Sequence, residues 1–386
     1  MLRSPDGAGY EPWPAIQLED WLREFYFDAP IDLGSSGVQV FSMAELCELI
    51  GLDPRELQAV VLDDSPSLGS AELREAMAMR WGNGDPRRVM ATHGSSEALF
   101  LAVRALVKPG DEVVVVEPCY QQLRSIAESA GARITSWSLR FEQGFVPDVD
   151  EGCALIRRGT RLLVLNFPHN PTGATVTPGQ LDALVEAAER VGAYLLWDTA
   201  FAELIYEAGP LPDPVLAYER ALSIGTLSKA YGLPGLRVGW CVAAPSILDR
   251  LVRLRDYVTL NLSPLIERIA IQAVRQAERL VEPRLAQARR NRSRVAEWAE
   301  AHRDLVEWVA PRGGVCGFPR LPSVPDVRQF CRRLAERDGV LLVPGDCFGH
   351  PRHVRLGFGR ATQDVERGLV SIGERLQPAT AVATGS

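Results

Sequence analysis

The chain reads as an α/β protein: a large domain with a mostly parallel central sheet covered by helices, plus a smaller α+β domain built from the N-terminal segment and the C-terminal third. Three observations predict this. From about residue 70, short apolar runs alternate with segments of helical spacing, the pattern of strands buried on both faces by crossover helices. The 386 residues are 46% hydrophobic and 24% charged, enough for one large core with a smaller one attached. Beyond "SPLIERIAIQAV" long helices dominate, and they lead into two further strand-like runs of a different layer. The expected division is an N-terminal arm or small-domain segment over 1–45, a large domain over 46–275, a small domain over 276–377 and a disordered tail over 378–386.

Taken in order, the first forty residues mix aromatics with turn formers, "GYEPWPAIQLEDWLREFYF" and then "DLGSSGVQ". The first of these is apolar enough to pack on a partner subunit. "SEALFLAVRALV" has helical spacing and stops at the turn Lys108-Pro-Gly-Asp. "EVVVVEP" (112–118), "TRLLVLNFP" (160–168) and "AYLLWDTA" (193–200) are apolar runs of buried-strand type. The helix "TPGQLDALVEAAERVG" separates the last two. "ALSIGTLS" (221–228) and "RVGWCVAA" (237–244) complete the set, and "GGVCGFPRL" and "HVRLGFG" supply strands of the smaller domain. No internal repeat is evident. No G-x-G-x-x-G follows a strand, so a dinucleotide site is not expected.

Composition removes several function classes. The net charge is −7 with no dense basic run, so a nucleic-acid partner has no electrostatic support. No apolar stretch approaches the roughly 18 residues of a membrane span, and "MLRSPDGAGYEPW" lacks a signal-peptide core. The seven cysteines, Cys47, Cys119, Cys153, Cys241, Cys316, Cys331 and Cys347, are scattered without a C-x-x-C pair. Reduced thiols in a cytoplasm are the expectation. His350 and His353 lie in the loop-like "GHPRH", and no metal is expected there.

The chemistry gathers at strand ends, where ligands of an open parallel sheet collect. In "THGSSEAL", Gly94, Ser95 and Ser96 open a helix with free N–H groups and hydroxyls, an anion site. Tyr120 follows one strand, Asn170 in "NFPHNPTG" another, and Asp198 in "WDTAF" a third. "TLSKAYGLPGLRVG" then sets Lys229 among hydroxyls, glycines and aliphatics, with Thr226 and Ser228 before it and no charge until Arg237. Singly, each has a plainer reading: a helix cap, a core tyrosine, a turn asparagine, a surface lysine. Together, a phosphate nest, a flat aromatic, a buried acid and an unpaired lysine specify pyridoxal phosphate.

"NFPHNPTG", "SKAYGLPGLRVGW" and "VRLGFG" resemble the class I/II aminotransferase family, fold type I of pyridoxal-phosphate enzymes, over nearly the whole chain. The resemblance implies that Lys229 bears the cofactor as an imine and carries the Cα proton. Desolvation without a carboxylate partner suits that role by lowering a lysine pKa. It implies Asp198 on the pyridine nitrogen, Asn170 on the phenolic oxygen and Tyr120 on the ring face. Ser95, Ser96, Thr226, Ser228 and Arg237 would take the phosphate, and Arg355 the substrate α-carboxylate. A homodimer with the site at the subunit interface is the family's usual state.

Two departures bear on the reaction. The family's Asp-x-x-Tyr reads Asp198-Thr-Ala-Phe201, which removes a hydroxyl from the cofactor. In "LDDSPSLG", Asp64 stands where the family has a tyrosine that reaches the partner's phosphate. An acid there suits a cationic substrate, with Glu203 as a second candidate; a solvated turn is the plainer reading of Asp63 and Asp64. "DLGSSGVQ", which contains Gly37 as a further substrate-contact candidate, and "DDSPSLG" resemble a narrower group of this family. These are cyclases of antibiotic biosynthesis acting on arginine hydroxylated at Cβ. "THGSSEAL" and "TLSKAYGLPGLRVGWCV" carry the same resemblance. It implies a substrate with one or two hydroxyls and closure of a six-membered cyclic guanidine. An aminotransferase making a 2-oxo acid would use the same residues and is the main rival. A cofactor-sensing regulator would need a basic recognition helix, which the first seventy or so residues do not contain.

Overall fold

The protein is described from a computed structural model over residues 13–377. The expected disordered tail at 378–386 lies outside the described residues. A seven-stranded sheet forms the centre: β1 (Val89–Thr92), β2 (Glu112–Glu117), β3 (Arg133–Ser138), β4 (Thr160–Asn166), β5 (Tyr194–Asp198), β6 (Ala221–Thr226) and β7 (Gly239–Ala243), in the spatial order β1-β7-β6-β5-β4-β2-β3. Six strands run parallel, and β7 alone is antiparallel to both its neighbours. Five of the seven coincide with the apolar runs. β1 and β3 were not anticipated: β1 is only four residues long, and edge strand β3 is mostly polar, with Ile134 and Trp137 as its apolar side chains.

The sheet is buried on both faces, as a parallel sheet requires. Val113 and Val115 face a core with Leu99, Val103 and Leu106 of the helix Gly94–Leu106. Val114 and Val116 face the opposite core, which includes Leu181 and Leu184 of the helix Pro178–Val191. That alternation is the two-residue strand period turned into packing. Each fully buried valine or leucine contributes about 1.5–3 kcal/mol. Helix Pro178–Val191 is bounded as its sequence dictates. Thr177 and Gln180 form a capping box, Pro178 takes the first turn, and Gly192 closes the helix at φ 71°.

The N-terminal segment and the C-terminal third fold together. Ile31–Asp32 pairs in parallel with Val340–Leu341, while Val343–Pro344, Val354–Gly357 and Cys316–Gly317 form a three-stranded antiparallel sheet. Asp32 fixes the junction through an ion pair with Arg360 at 2.7 Å. The aromatic segment also packs within its own chain. Its helix α1 (Gln17–Phe25) buries Leu18, Trp21 and Phe25 in the chain's own core, and the Trp21 indole donates to the Leu342 carbonyl at 2.8 Å. The segment's apolar composition alone does not say whose core it joins. All seven cysteines are free, and among the described residues no helix is long and apolar enough to cross a membrane.

Candidate active site

A cavity of about 820 Å³ opens where the parallel strands end, and ten sequence-derived candidates line it: Ser95, Ser96, Tyr120, Asn170, Asp198, Thr226, Ser228, Lys229, Arg237 and Arg355. The topology explains how residues so distant in sequence meet. Four of the loops that carry them follow parallel strands β1, β2, β4 and β6, and Asp198 ends β5. Arg237 precedes β7, whose reversed direction brings its N-terminal end to the same edge.

The anion nest is preformed. The helix Gly94–Leu106 starts directly after β1 with its first turn at the cavity, where the hydroxyls of Ser95 and Ser96 have no hydrogen-bond partner among the described residues. Thr226 Oγ1 donates to Ser228 Oγ at 2.9 Å, and Arg237 Nη1 donates to the same oxygen at 3.3 Å. Gly94 has φ 72°, and a Cβ there would stand 2.8 Å from Arg237 Nη2. Only glycine lets the guanidinium approach the helix start. Behind the nest, the His93 N–H donates to Glu97 at 2.6 Å, and Glu97 pairs with the fully buried Arg255 at 3.4 Å. Burial pushes the Glu97 carboxyl up, but hydrogen bonds from His93 and Thr259 and the Arg255 charge together hold it down at about 2. No pattern in the sequence announces this support.

Lys229 has one hydrogen-bond partner among the described residues, Ser36 Oγ at 3.0 Å. Its ammonium faces the cavity but is walled by protein, and burial, reinforced by the Arg355 charge, pulls it down to about 8. Burial pushes the Asp198 carboxyl up to about 6, against the Ala200 N–H and the Lys229 charge. Asn166 Nδ2 donates to the Asp198 carbonyl at 3.3 Å, while Asn166 Oδ1 accepts from the Asn170 N–H at 2.9 Å, locking two strand ends together. The Asn170 side chain accepts from Arg355 Nη1 at 3.4 Å, which leaves its amide NH₂ without a partner among the described residues. Phe201 lines the same wall and brings no hydroxyl. The buried Arg355 guanidinium also donates to the Gly34 carbonyl at 2.7 Å and 3.1 Å, yet makes no ion pair among the described residues. A buried cation so placed calls for an incoming carboxylate.

This donor set fits pyridoxal phosphate: a partner-poor amine, a buried acid without a bonded cation, a free amide and an N–H nest closed by an arginine. Three candidates stand elsewhere. Asp64 is exposed, its N–H bound to Asp63 and its carboxylate accepting weakly from Asn261 at 3.4 Å, and it does not line the cavity. Gly37 lies against the Ser228 carbonyl rather than on the wall, where its neighbour Ser36 stands. Glu203 is spoken for: Arg80 pairs with it at 2.8 Å, and the Tyr231 hydroxyl donates to it at 2.9 Å. Conversely, the sequence did not single out Ser36, Asn166 or Glu19, whose carboxylate accepts from the Tyr120 hydroxyl at 2.8 Å. Ser36 lies in "DLGSSGVQ" and Asn166 in "NFPHNPTG", so both have a local sequence signal. Glu19 depends on where α1 docks.

Residues 63–372 match the family of aminotransferases class I and II. The chain is 50% identical to capreomycidine synthase of Streptomyces vinaceus over 97% of both chains. It is 30% identical to the arginine–pyruvate transaminase AruH of Pseudomonas aeruginosa over 71% of both. Its fold superposes on the crystal structure of the PLP-dependent cyclase OrfR with a TM-score of 0.90 and 41% identity, covering 96% of this chain and 98% of that one. Site chemistry, sheet topology and sequence therefore agree, and the chain belongs to the class I and II aminotransferase family of pyridoxal-phosphate enzymes.

Proposed function

We propose that the protein is a pyridoxal-phosphate-dependent cyclase of peptide or nucleoside antibiotic biosynthesis. It would convert 3-hydroxyarginine or 3,4-dihydroxyarginine to capreomycidine or hydroxycapreomycidine: the Cα proton is removed, the β-hydroxyl leaves, and a guanidino nitrogen takes its place at Cβ. The observation that carries this reading is the 50% identity to capreomycidine synthase across nearly the full length of both chains.

When bound, pyridoxal phosphate supplies an electron sink for negative charge at Cα. Lys229 would hold it covalently and carry the Cα proton; burial lowers the amine, so that more of it is unprotonated near neutral pH than for an ordinary lysine. Asp198 would hold the pyridine nitrogen and keep its proton in place. Asn170 would donate its free amide to the phenolic oxygen without help from Phe201, and Tyr120 would pack on the ring. Ser95, Ser96, Thr226, Ser228 and Arg237 would anchor the phosphate. Arg355 takes the substrate carboxylate as a two-pronged donor and so orients the Cα–H bond. α1 lines one side of the cavity, where it would limit the access of water and so favour replacement over hydrolysis. The protein acts as a cytoplasmic homodimer in this reading, with no nucleic acid or membrane partner. Asp64 would then reach toward the second subunit's cavity.

The test is mass spectrometry of products from 3-hydroxyarginine and, separately, 3,4-dihydroxyarginine. Cyclisation gives loss of one water with the amino group retained, and the better substrate settles the hydroxyl count. A 2-oxo acid formed at the expense of a second keto acid would instead make the protein an aminotransferase. Lys229→Ala should abolish either product.

A further inference from the structure

We propose that Glu19 on α1 is the residue that binds the substrate guanidinium and selects a cationic side chain. The inference rests on the cyclase reading above and deepens it.

A guanidinium drawn into a walled cavity needs a carboxylate, because an unpaired charge there is costly. Three carboxylates line this cavity: Asp198, Asp20 and Glu19. Asp198 stands at the end of β5, its oxygen accepting from the Ala200 N–H at 2.9 Å. It belongs to the floor of the site. Asp20 is exposed and already paired with Arg23 one turn along the same helix. Glu19 is half-buried and has no cationic partner among the described residues. Its Oε1 accepts from the Tyr120 hydroxyl at 2.8 Å, which fixes the carboxylate plane and leaves Oε2 for an incoming donor.

The helix that carries it is firmly placed. Trp21 and Phe25 anchor one face. At its start the Gln17 N–H donates to Gln121 Oε1 at 3.0 Å, and Gln121 Nε2 donates to the Ala15 carbonyl at 2.9 Å. α1 is thus stitched to the loop that holds Tyr120. Glu19, Tyr120, Asp198, Lys229 and Arg355 all line this one cavity. An amino acid with its carboxylate on Arg355 and its guanidinium on Glu19 would therefore span the cavity toward α1, with Cα toward Lys229. Held there, the terminal nitrogen stays beside the carbon it must attack.

Equilibrium binding to the holoenzyme tests this without turnover. L-Arginine lacks the β-hydroxyl and cannot cyclise, and citrulline is its neutral near-isostere. The parent should prefer arginine. Glu19→Gln should weaken arginine binding about 10- to 100-fold while moving citrulline by no more than about twofold, as expected for a lost charge-assisted hydrogen bond. Citrulline binding doubles as the check that the variant is folded and loaded. Equal weakening of both ligands would make Glu19 a structural residue and overturn the inference. So would an unaltered arginine affinity, or a selective loss carried by Asp64→Asn instead. A parent that fails to distinguish arginine from citrulline would remove the cationic-substrate reading itself, and the inference with it.

Discussion

Lys229 and Asp198 are charged groups placed where charge is penalised, and each penalty has its own pH window. The unfolded chain keeps the Lys229 proton up to the ordinary value of 10.5, whereas the folded, cofactor-stripped protein releases it near 8. Between those values the unfolded state binds more protons, so stability rises with pH. Asp198 acts in the opposite sense. Its folded carboxyl keeps its proton up to about 6, against 3.8 when unfolded, so stability falls as pH rises through that interval. Both penalties operate from about pH 6 to 8. Lys229→Met should therefore stabilise the cofactor-free protein at pH 7 by about 2 kcal/mol, less than the full shift implies because the cavity admits water. The gain should shrink between pH 8 and 10. Urea denaturation at pH 7 and 10 measures it; an equal gain at both would credit methionine packing rather than the removed charge. At this scale the sequence was informative, because an isolated lysine among glycines and hydroxyls already signalled desolvation. It was silent on Ser36 and Glu19, whose relevance depends on distances between residues about a hundred or more positions apart.

Among elements, the junction of β1 and the helix Gly94–Leu106 is the most demanding piece of backbone. Gly94 needs its positive φ, and Arg237 needs the space a Cβ would fill. Gly94→Ala should strain the left-handed turn by about 1–2 kcal/mol and displace the guanidinium, so that cofactor affinity falls by roughly tenfold. Titration of the stripped protein with pyridoxal phosphate reads this directly. A lowered melting temperature with unchanged affinity would confine the effect to the turn. The five apolar strands and the capped helices were legible because their cues are local: period, caps and turn formers. β1 and β3 were not, since a four-residue strand and a half-polar edge strand acquire their identity from partners. α1 shows the same limit. Its apolar composition was visible in the sequence, but its docking onto Leu342 and Tyr120 is a long-range fact, and that docking makes it a wall of the cavity.

For the molecule as a whole, the question left by a closed core and a complete anion nest is why apolar side chains stay uncovered beside Asp64. Val61 and Leu62 are each 77% exposed and Tyr257 is 89% exposed, with Val258 and Leu260 next to it. The two segments adjoin, since Asn261 donates to Asp64. A contiguous apolar patch of this kind favours a protein partner over solvent. A second copy is the simplest occupant, given the family's usual pairing and the proximity of Asp64, which does not line the active-site cavity of its own chain. Sedimentation velocity should give twice the mass of one chain at micromolar concentration. Leu62→Asp, a surface change that costs the monomer fold little, should shift the species to monomer and lower cyclisation at least tenfold, because a charge buried in an apolar interface is strongly unfavourable. Activity that returns at high protein concentration would tie the defect to association. A monomer with full activity would show instead that each cavity is complete within one chain, and Asp64 would then be only the solvated turn that its sequence also allows.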